Sequence, residues 1–158
     1  MFRAAITAGT ELGRKVEPLL ASGTLVPDEV TIAMIRERLS EDDARAGFVL
    51  DGFPRNLPQA EALDEMLSSI GRTLDAILFF DVSDSVGTER ALNRAHIENR
   101  TDDTPEVIAK RLATYHLETE PIVEHYRTTG KLVPVHAGRT IDEVWTEISA
   151  ALHQVAPA

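Results

Sequence analysis

The run Ala76-Ile-Leu-Phe-Phe-Asp-Val82 is almost wholly apolar, a pattern that suits a parallel strand covered on both faces. A parallel strand needs a partner reached through a crossover, and two other short apolar runs qualify: Phe48-Val49-Leu50, ending at Asp51-Gly52, and Leu132 to His136. Helical periodicity fills the intervals. Phe2 to Ala8 reads as the end of a helix closed by Gly9, and Glu11 to Ser22 as a second closed by Gly23. Asp28 is expected to cap a third, with Val30, Met34, Ile35 and Leu39 on one face. Asn56 is expected to cap a fourth, with Pro58 in its first turn and Ala60, Leu63, Leu67 and Ile70 on its buried stripe. A helix Asp84 to Ala95 follows the central run, then an irregular polar segment His96 to Thr104. Pro105 and Glu106 open a long helix carrying Val107, Ile108, Leu112 and Tyr115, kinked or divided at Pro121. Thr140 caps the last helix, with Ile141, Val144, Trp145, Ile148 and Leu152 inside. Strands alternating with helices predict an α/β fold with a parallel sheet.

Length and charge narrow the function. With 158 residues the chain is expected to form one domain with a real core. A net charge of −10 argues against a nucleic-acid or anionic-membrane surface, so a polyanionic ligand has to be held locally. Of the 16 basic residues 13 are arginine, whose rigid fork suits bidentate recognition of carboxylate or phosphate, although biased codon usage gives the same count. The absence of cysteine removes disulfides, thiolate metal sites and a cysteine nucleophile. No apolar stretch approaches a membrane span and the N-terminus lacks a signal-peptide layout, which makes a cytoplasmic protein the expectation.

Ligands of α/β sheets collect beyond the carboxyl ends of the strands, and two segments there carry chemistry. In Asp51-Gly52-Phe53-Pro54-Arg55 a strand delivers an acid, Gly52 lets the backbone turn close to a ligand, Pro54 stiffens the exit and Arg55 is offered to an anion. An ordinary Asp-Gly turn with an exposed arginine fits the same residues. Arg90 and Arg94 form a like-charge i,i+4 pair, joined within 22 residues by Arg100 and Arg111. These arginines either surround a transferring phosphate or lie on a solvated helix paired with Glu89, Glu98, Asp102 and Asp103. The five histidines show no metal-ligand spacing, and no serine sits in a Gly-x-Ser-x-Gly elbow.

Taken together, Phe2-Arg3-Ala-Ala, Gly23-Thr-Leu-Val-Pro-Asp28, Asp51-Gly-Phe-Pro-Arg55 with Gln59, Arg100-Thr-Asp-Asp-Thr104, Arg111-Leu and Tyr115 resemble the adenylate kinase family. That resemblance implies a phosphotransferase interconverting ATP plus AMP with two ADP, on a P-loop-kinase-like parallel sheet flanked by helices. It implies one domain over residues 1–158, with 1–26 part of the AMP-binding region, 94–104 a short lid and the remainder core. By the same resemblance Arg3 and Arg55 grip the AMP phosphate, within a loop that includes Gly52, Phe53 and Pro54. Gln59 and the backbone around Thr24, Leu25 and Val26 select adenine. Arg90 and Arg139 lie at the ATP adenine, Arg94, Arg100 and Arg111 converge on the transferring phosphates, with Arg100 and Arg111 also serving AMP, and Asp51 helps hold Mg²⁺ through water. The implied partners are ATP, AMP and ADP alone, bound by a monomer. Zinc is not expected, because only Ala95 to Asn99 separates Arg94 from Arg100 and no cysteine is present.

Two departures from the family pattern stand out. His96-Ile97-Glu98-Asn99 is bulkier and more acidic than the small, glycine-bearing residues usual beside the second arginine. No Gly-x-x-x-x-Gly-Lys-[Ser/Thr] occurs either: Gly130-Lys131 is followed by Leu132. In the family that P-loop, with the first strand and first helix, precedes the Met-Phe-Arg segment, and the strand lies between those corresponding to 48–50 and 76–82. The expectation is therefore a natural chain that begins further upstream, with unpaired sheet edges in its absence. The alternatives are a chain that binds AMP as a remnant or regulator without catalysis, a UMP/CMP-type kinase, and an acidic helical interaction domain with no ligand.

Overall fold

The computed structural model describes residues 1–100 and 102–155; Thr101, within the expected lid, lies outside them. The elements run α1 (Phe2–Thr7), α2 (Glu11–Ala21), α3 (Asp28–Ser40), α4 (Leu57–Ser69), β1 (Ile77–Asp81), α5 (Asp84–Glu98), α6 (Pro105–Thr114), α7 (Glu120–Arg127), β2 (Leu132–His136) and α8 (Ile141–Val155). Side chains that accept the free amides of a first turn set several of the starts. Thr10 accepts from Gly13 N at 3.0 Å, Asn56 from Gln59 N at 3.0 Å and Thr104 from Val107 N at 3.3 Å. At α8 the exchange is reciprocal: Thr140 N donates to Glu143 Oε2 at 3.0 Å and Glu143 N to Thr140 Oγ1 at 3.4 Å, a capping box. Asp28 does not cap α3. It is the first helical residue, and Pro27 holds the cap position without a side-chain bond.

The chain divides into two compact units. The first is Met1–Asp51 with Thr88–Tyr115, and the second is Gly52–Gly87 with the residues from His116 onward. In the first unit Gly13 lets α2 meet α1, because any side chain there would run into the Ala5 carbonyl. α3 buries Thr31, Ile35 and Leu39, an i,i+4 row, so Val30 falls outside it at 36% exposure. α5 continues through Glu98 and stops at Asn99, whose φ of 51° suits a residue with a short polar side chain, so the irregular segment begins later than expected. Phe48–Leu50 is not a strand, and Val49 is 94% exposed. Three apolar residues form a strand only where a neighbour supplies the ladder, and among the described residues the sheet consists of β1 and β2 alone.

In the second unit β1 and β2 pair in parallel, from Ile77 opposite Leu132 to Asp81 opposite His136. Ala60, Ile122 and Tyr126 form its buried cluster, with Leu74, Ile77 and Leu132 against them. α6 passes into α7 through a π turn at Tyr115–Thr119, which places Pro121 in the first turn of α7, the helical position where proline is best tolerated. Ile70 leaves the α4 stripe because it is the cap residue, with φ −107°, and is 55% exposed.

The sheet is narrower than expected, and the apolar residues around it show the consequence. β1 is not covered on both faces: Phe80 is 47% exposed, and Val82, just past the strand, 37%. Two strands about 4.8 Å apart present less width than a helix about 10 Å across. α8 accordingly lies against β2 with Ile141, Trp145 and Leu152 turned outward, not inside as the sequence suggests. Trp145, 65% exposed, should be dispensable: Trp145→Ala is expected to change the urea unfolding free energy by under about 0.5 kcal/mol, against ~3–5 kcal/mol for a core tryptophan. Among the described residues no helix is long and apolar enough to cross a membrane.

Candidate functional site

The first unit brings three of the singled-out arginines onto two adjacent carboxylates. Asp102 and Asp103 stand just ahead of Thr104, the cap of α6, at the end of the helix dipole that favours negative charge. Asp103 Oδ2 accepts from Arg94 Nε at 3.0 Å and Nη2 at 2.8 Å, while Asp103 Oδ1 takes Arg111 Nη1. Asp102 Oδ2 accepts from Arg111 Nη2 at 2.7 Å and from Arg3 Nη2 at 2.8 Å. The side chain of Asp103 is 0% exposed and that of Asp102 12%, whereas Arg3 and Arg94 remain 54% and 41% exposed. The carboxylates therefore form the floor and the guanidinium groups the wet rim. Three positive and two negative groups leave a net charge of +1, and each arginine is oriented by a bond that does not depend on a ligand.

The other candidates are placed differently. Arg100 turns to its neighbour Glu98, with Nε 2.6 Å from Oε2, and does not join the cluster. Arg90 is exposed on α5. Thr24 is exposed, Leu25 half-buried and Val26 buried in the turn between α2 and α3. Asp51 is exposed.

In the second unit Gly52 adopts φ 72°, and a side chain there would come within 3.0 Å of Arg55 Nη2. Its carbonyl accepts from Arg55 Nε at 2.8 Å, so the turn folds over its own arginine. Phe53 is buried and Pro54 half-buried. Gln59, 2% exposed, accepts the Arg55 backbone amide at 2.8 Å through Oε1, and Thr119 donates to the Arg55 carbonyl at 2.7 Å. The structure thus gives Gln59 a part in shaping the Arg55 turn. Arg139 follows β2 on an exposed loop, 4.0 Å from Glu147.

The adenylate kinase family model matches residues 1–131. A relative named adenylate kinase from Thermobifida fusca is 49% identical over 152 residues, covering 96% of this chain and 80% of that protein. Those from Nitrobacter hamburgensis and Thermosynechococcus vestitus are 46% and 45% identical, over 98% of this chain and 77% and 82% of theirs. The chain belongs to the adenylate kinase family. Adenylate kinases are phosphotransferases acting on nucleoside monophosphates, and gathered guanidinium groups are what phosphoryl transfer demands of a protein.

Two acidic residues outside the predicted site, Asp102 and Asp103, complete the cluster. Asp102 and Asp103 stand in the Arg100-Thr-Asp-Asp-Thr104 motif and are also read from sequence as acids that neutralise a solvated helix; both do pair with arginines, but through carboxylates that are themselves nearly buried. Two adjacent acids inside a stretch holding four arginines are the signal that points to them. Burial pushes the Asp102 carboxyl up, yet the guanidinium groups of Arg3 and Arg111 outweigh it and hold it down at about 2, from an ordinary 3.8. Folded Asp102 therefore binds fewer protons than the unfolded chain across this interval. The stability it contributes is expected to be whole above about pH 4 and lost as pH falls toward 2. Urea midpoints measured from pH 5 to 2 should decline more steeply for the natural chain than for Asp102→Asn.

Proposed function

We propose that the chain serves the reversible transfer of a phosphoryl group from ATP to AMP, giving two ADP, and that Arg3, Arg94 and Arg111 neutralise the phosphates. The observation that carries this reading is the convergence of those three guanidinium groups on Asp102 and Asp103. In-line transfer between phosphates needs little covalent help from protein and much alignment and charge neutralisation. Guanidinium groups already held by carboxylates lose little freedom on meeting a phosphate.

Within this reading Arg3 and Arg55 hold the AMP phosphate, Arg100 and Arg111 serve both AMP and the transferred group, and Thr24, Leu25, Val26 and Gln59 select adenine. Arg90, Arg94 and Arg139 attend to ATP. Mg²⁺ accompanies the nucleotide, supplying charge on the phosphate oxygens. Asp51, a single exposed carboxylate, suits a cation that keeps most of its waters, and among the described residues no group of three or more His, Asp or Glu forms a dedicated metal site. The protein acts as a monomer in the cytoplasm, with free nucleotides as its partners.

No P-loop motif occurs in the 158 residues, so backbone amides that cradle the ATP phosphates have to come from elsewhere. The test is ADP formation from ATP plus AMP by this chain and by a version extended upstream through a P-loop. Turnover in the extended form supports the reading; an inactive extended form removes it. AMP binding without turnover in both forms favours a regulator or remnant. Competition by UMP and CMP equal to that by AMP favours a pyrimidine kinase.

A further inference from the structure

One stripe of α6 is fitted to the turn that follows α2. Gly23 is buried with φ 69°, and a side chain there would stand 3.2 Å from Val107 Cγ1 and Arg111 Cγ and 3.3 Å from the Val107 carbonyl. Arg111 Nη2 donates to the Leu20 carbonyl at 3.1 Å, and Lys110 Nζ donates to Thr24 Oγ1 at 2.7 Å. Val107, Lys110 and Arg111 are three and four residues apart, so a single helical face makes all these contacts. Thr24 Oγ1 also pairs with Ser22 Oγ at 2.9 Å, and Thr24 N reaches back to the Leu19 carbonyl at 2.9 Å. Beyond this anchor the chain runs to Val26, which is 6% exposed.

We propose that Lys110 is a positioning residue: its ammonium fixes Thr24, and through it the backbone of Thr24–Val26, in the shape that discriminates the base of the acceptor nucleotide. This rests on the reading of Thr24–Val26 as the adenine-selecting turn. The chemistry separates Lys110 from a phosphate ligand. A lysine that only attracts anions acts on any phosphate, whereas one that holds the turn through a neutral hydroxyl acts on the base. The hydroxyl of Thr24 is as necessary to that hold as the ammonium, and arginine at position 110 retains both a donor and the charge.

Calorimetric titration with AMP and with ribose 5-phosphate, which has the sugar and phosphate without the base, distinguishes the two. Lys110→Met and Thr24→Val are each expected to weaken AMP about three- to tenfold, the net scale of one ordinary hydrogen bond, since the Lys110–Thr24 bond is exposed to water. Ribose 5-phosphate should be unchanged, Lys110→Arg should restore AMP, and the double variant should lose no more than either single one. Amide exchange at Leu25 and Val26, followed without ligand, should accelerate in both single variants. Equal weakening of AMP and ribose 5-phosphate overturns the proposal, as does AMP affinity unchanged in Lys110→Met. If the natural chain binds AMP no better than ribose 5-phosphate, the adenine reading has failed. The exchange rates then decide alone, faster exchange sustaining the positioning role and unchanged exchange overturning it.

Discussion

Asp103→Ala is expected to lose about 2–4 kcal/mol of stability, the scale for removing one member of a buried, hydrogen-bonded charge pair. The carboxylate is 0% exposed and joins Arg94 to Arg111. Its loss leaves two cations facing one another across a cavity the size of a carboxyl group. Their own exposure of 41% and 31% lets water take up part of the charge, which keeps the effect below that of a fully buried pair. Asp103→Asn preserves the shape and one acceptor, and should cost roughly half as much. Chemical unfolding of the three proteins at pH 7 measures this. A loss under ~1 kcal/mol for Asp103→Ala would mean that the cluster contributes no more than an exposed ion pair.

Arg111→Ala should have the largest effect on catalysis. This guanidinium bonds Asp102, Asp103 and the Leu20 carbonyl at once, so its position is the most tightly determined of the three. Removing a phosphate-neutralising arginine is expected to lower kcat by about 10³-fold or more in the form of the protein that turns over. Arg111→Lys should recover little, because an ammonium cannot occupy three partners with a planar fork. Since the substitution also removes structural bonds, unfolding should be measured beside kinetics. A kcat reduced less than about tenfold in a folded Arg111→Ala protein would exclude Arg111 from charge neutralisation.

How far these features can be read from sequence depends on whether their cause is local. Asn56, Thr104 and Thr140 declare helix starts because an oxygen three residues from a free amide acts without help from the rest of the fold. Ile77–Asp81 and Leu132–His136 pair as their apolar runs suggest. Phe48–Leu50 has the same composition but no ladder, and composition alone cannot supply one. The stripe Ile141, Trp145, Leu152 has helical spacing, yet what it meets depends on the width of the sheet. Periodicity states which residues share a face and leaves open whether anything covers that face.

The site divides along the same line. Arg3, Arg94 and Arg111 could be singled out from motifs, since their residue type carries the chemistry. Their assembly could not, because Arg3 and Asp102 are 99 residues apart in sequence and meet only through the packing of the first unit. Arg100 has the same motif standing, but the acid two residues before it captures its side chain. Lys110 carries no motif at all; only its 2.7 Å bond to Thr24 brings it forward.

The most direct measurement follows the guanidinium groups themselves. With ¹⁵N-labelled arginine, the Nε–H signals of Arg3 and Arg111 are expected to shift together as AMP is added, with that of Arg94 following on the same saturation curve because it shares Asp103 with Arg111. Arg38 and Arg45, held by Asp43 and Asp42 on the surface, should stay in place and serve as controls. Saturable AMP binding that leaves the three signals unmoved, or shifts all arginines alike, would contradict the assignment of this cluster to phosphate.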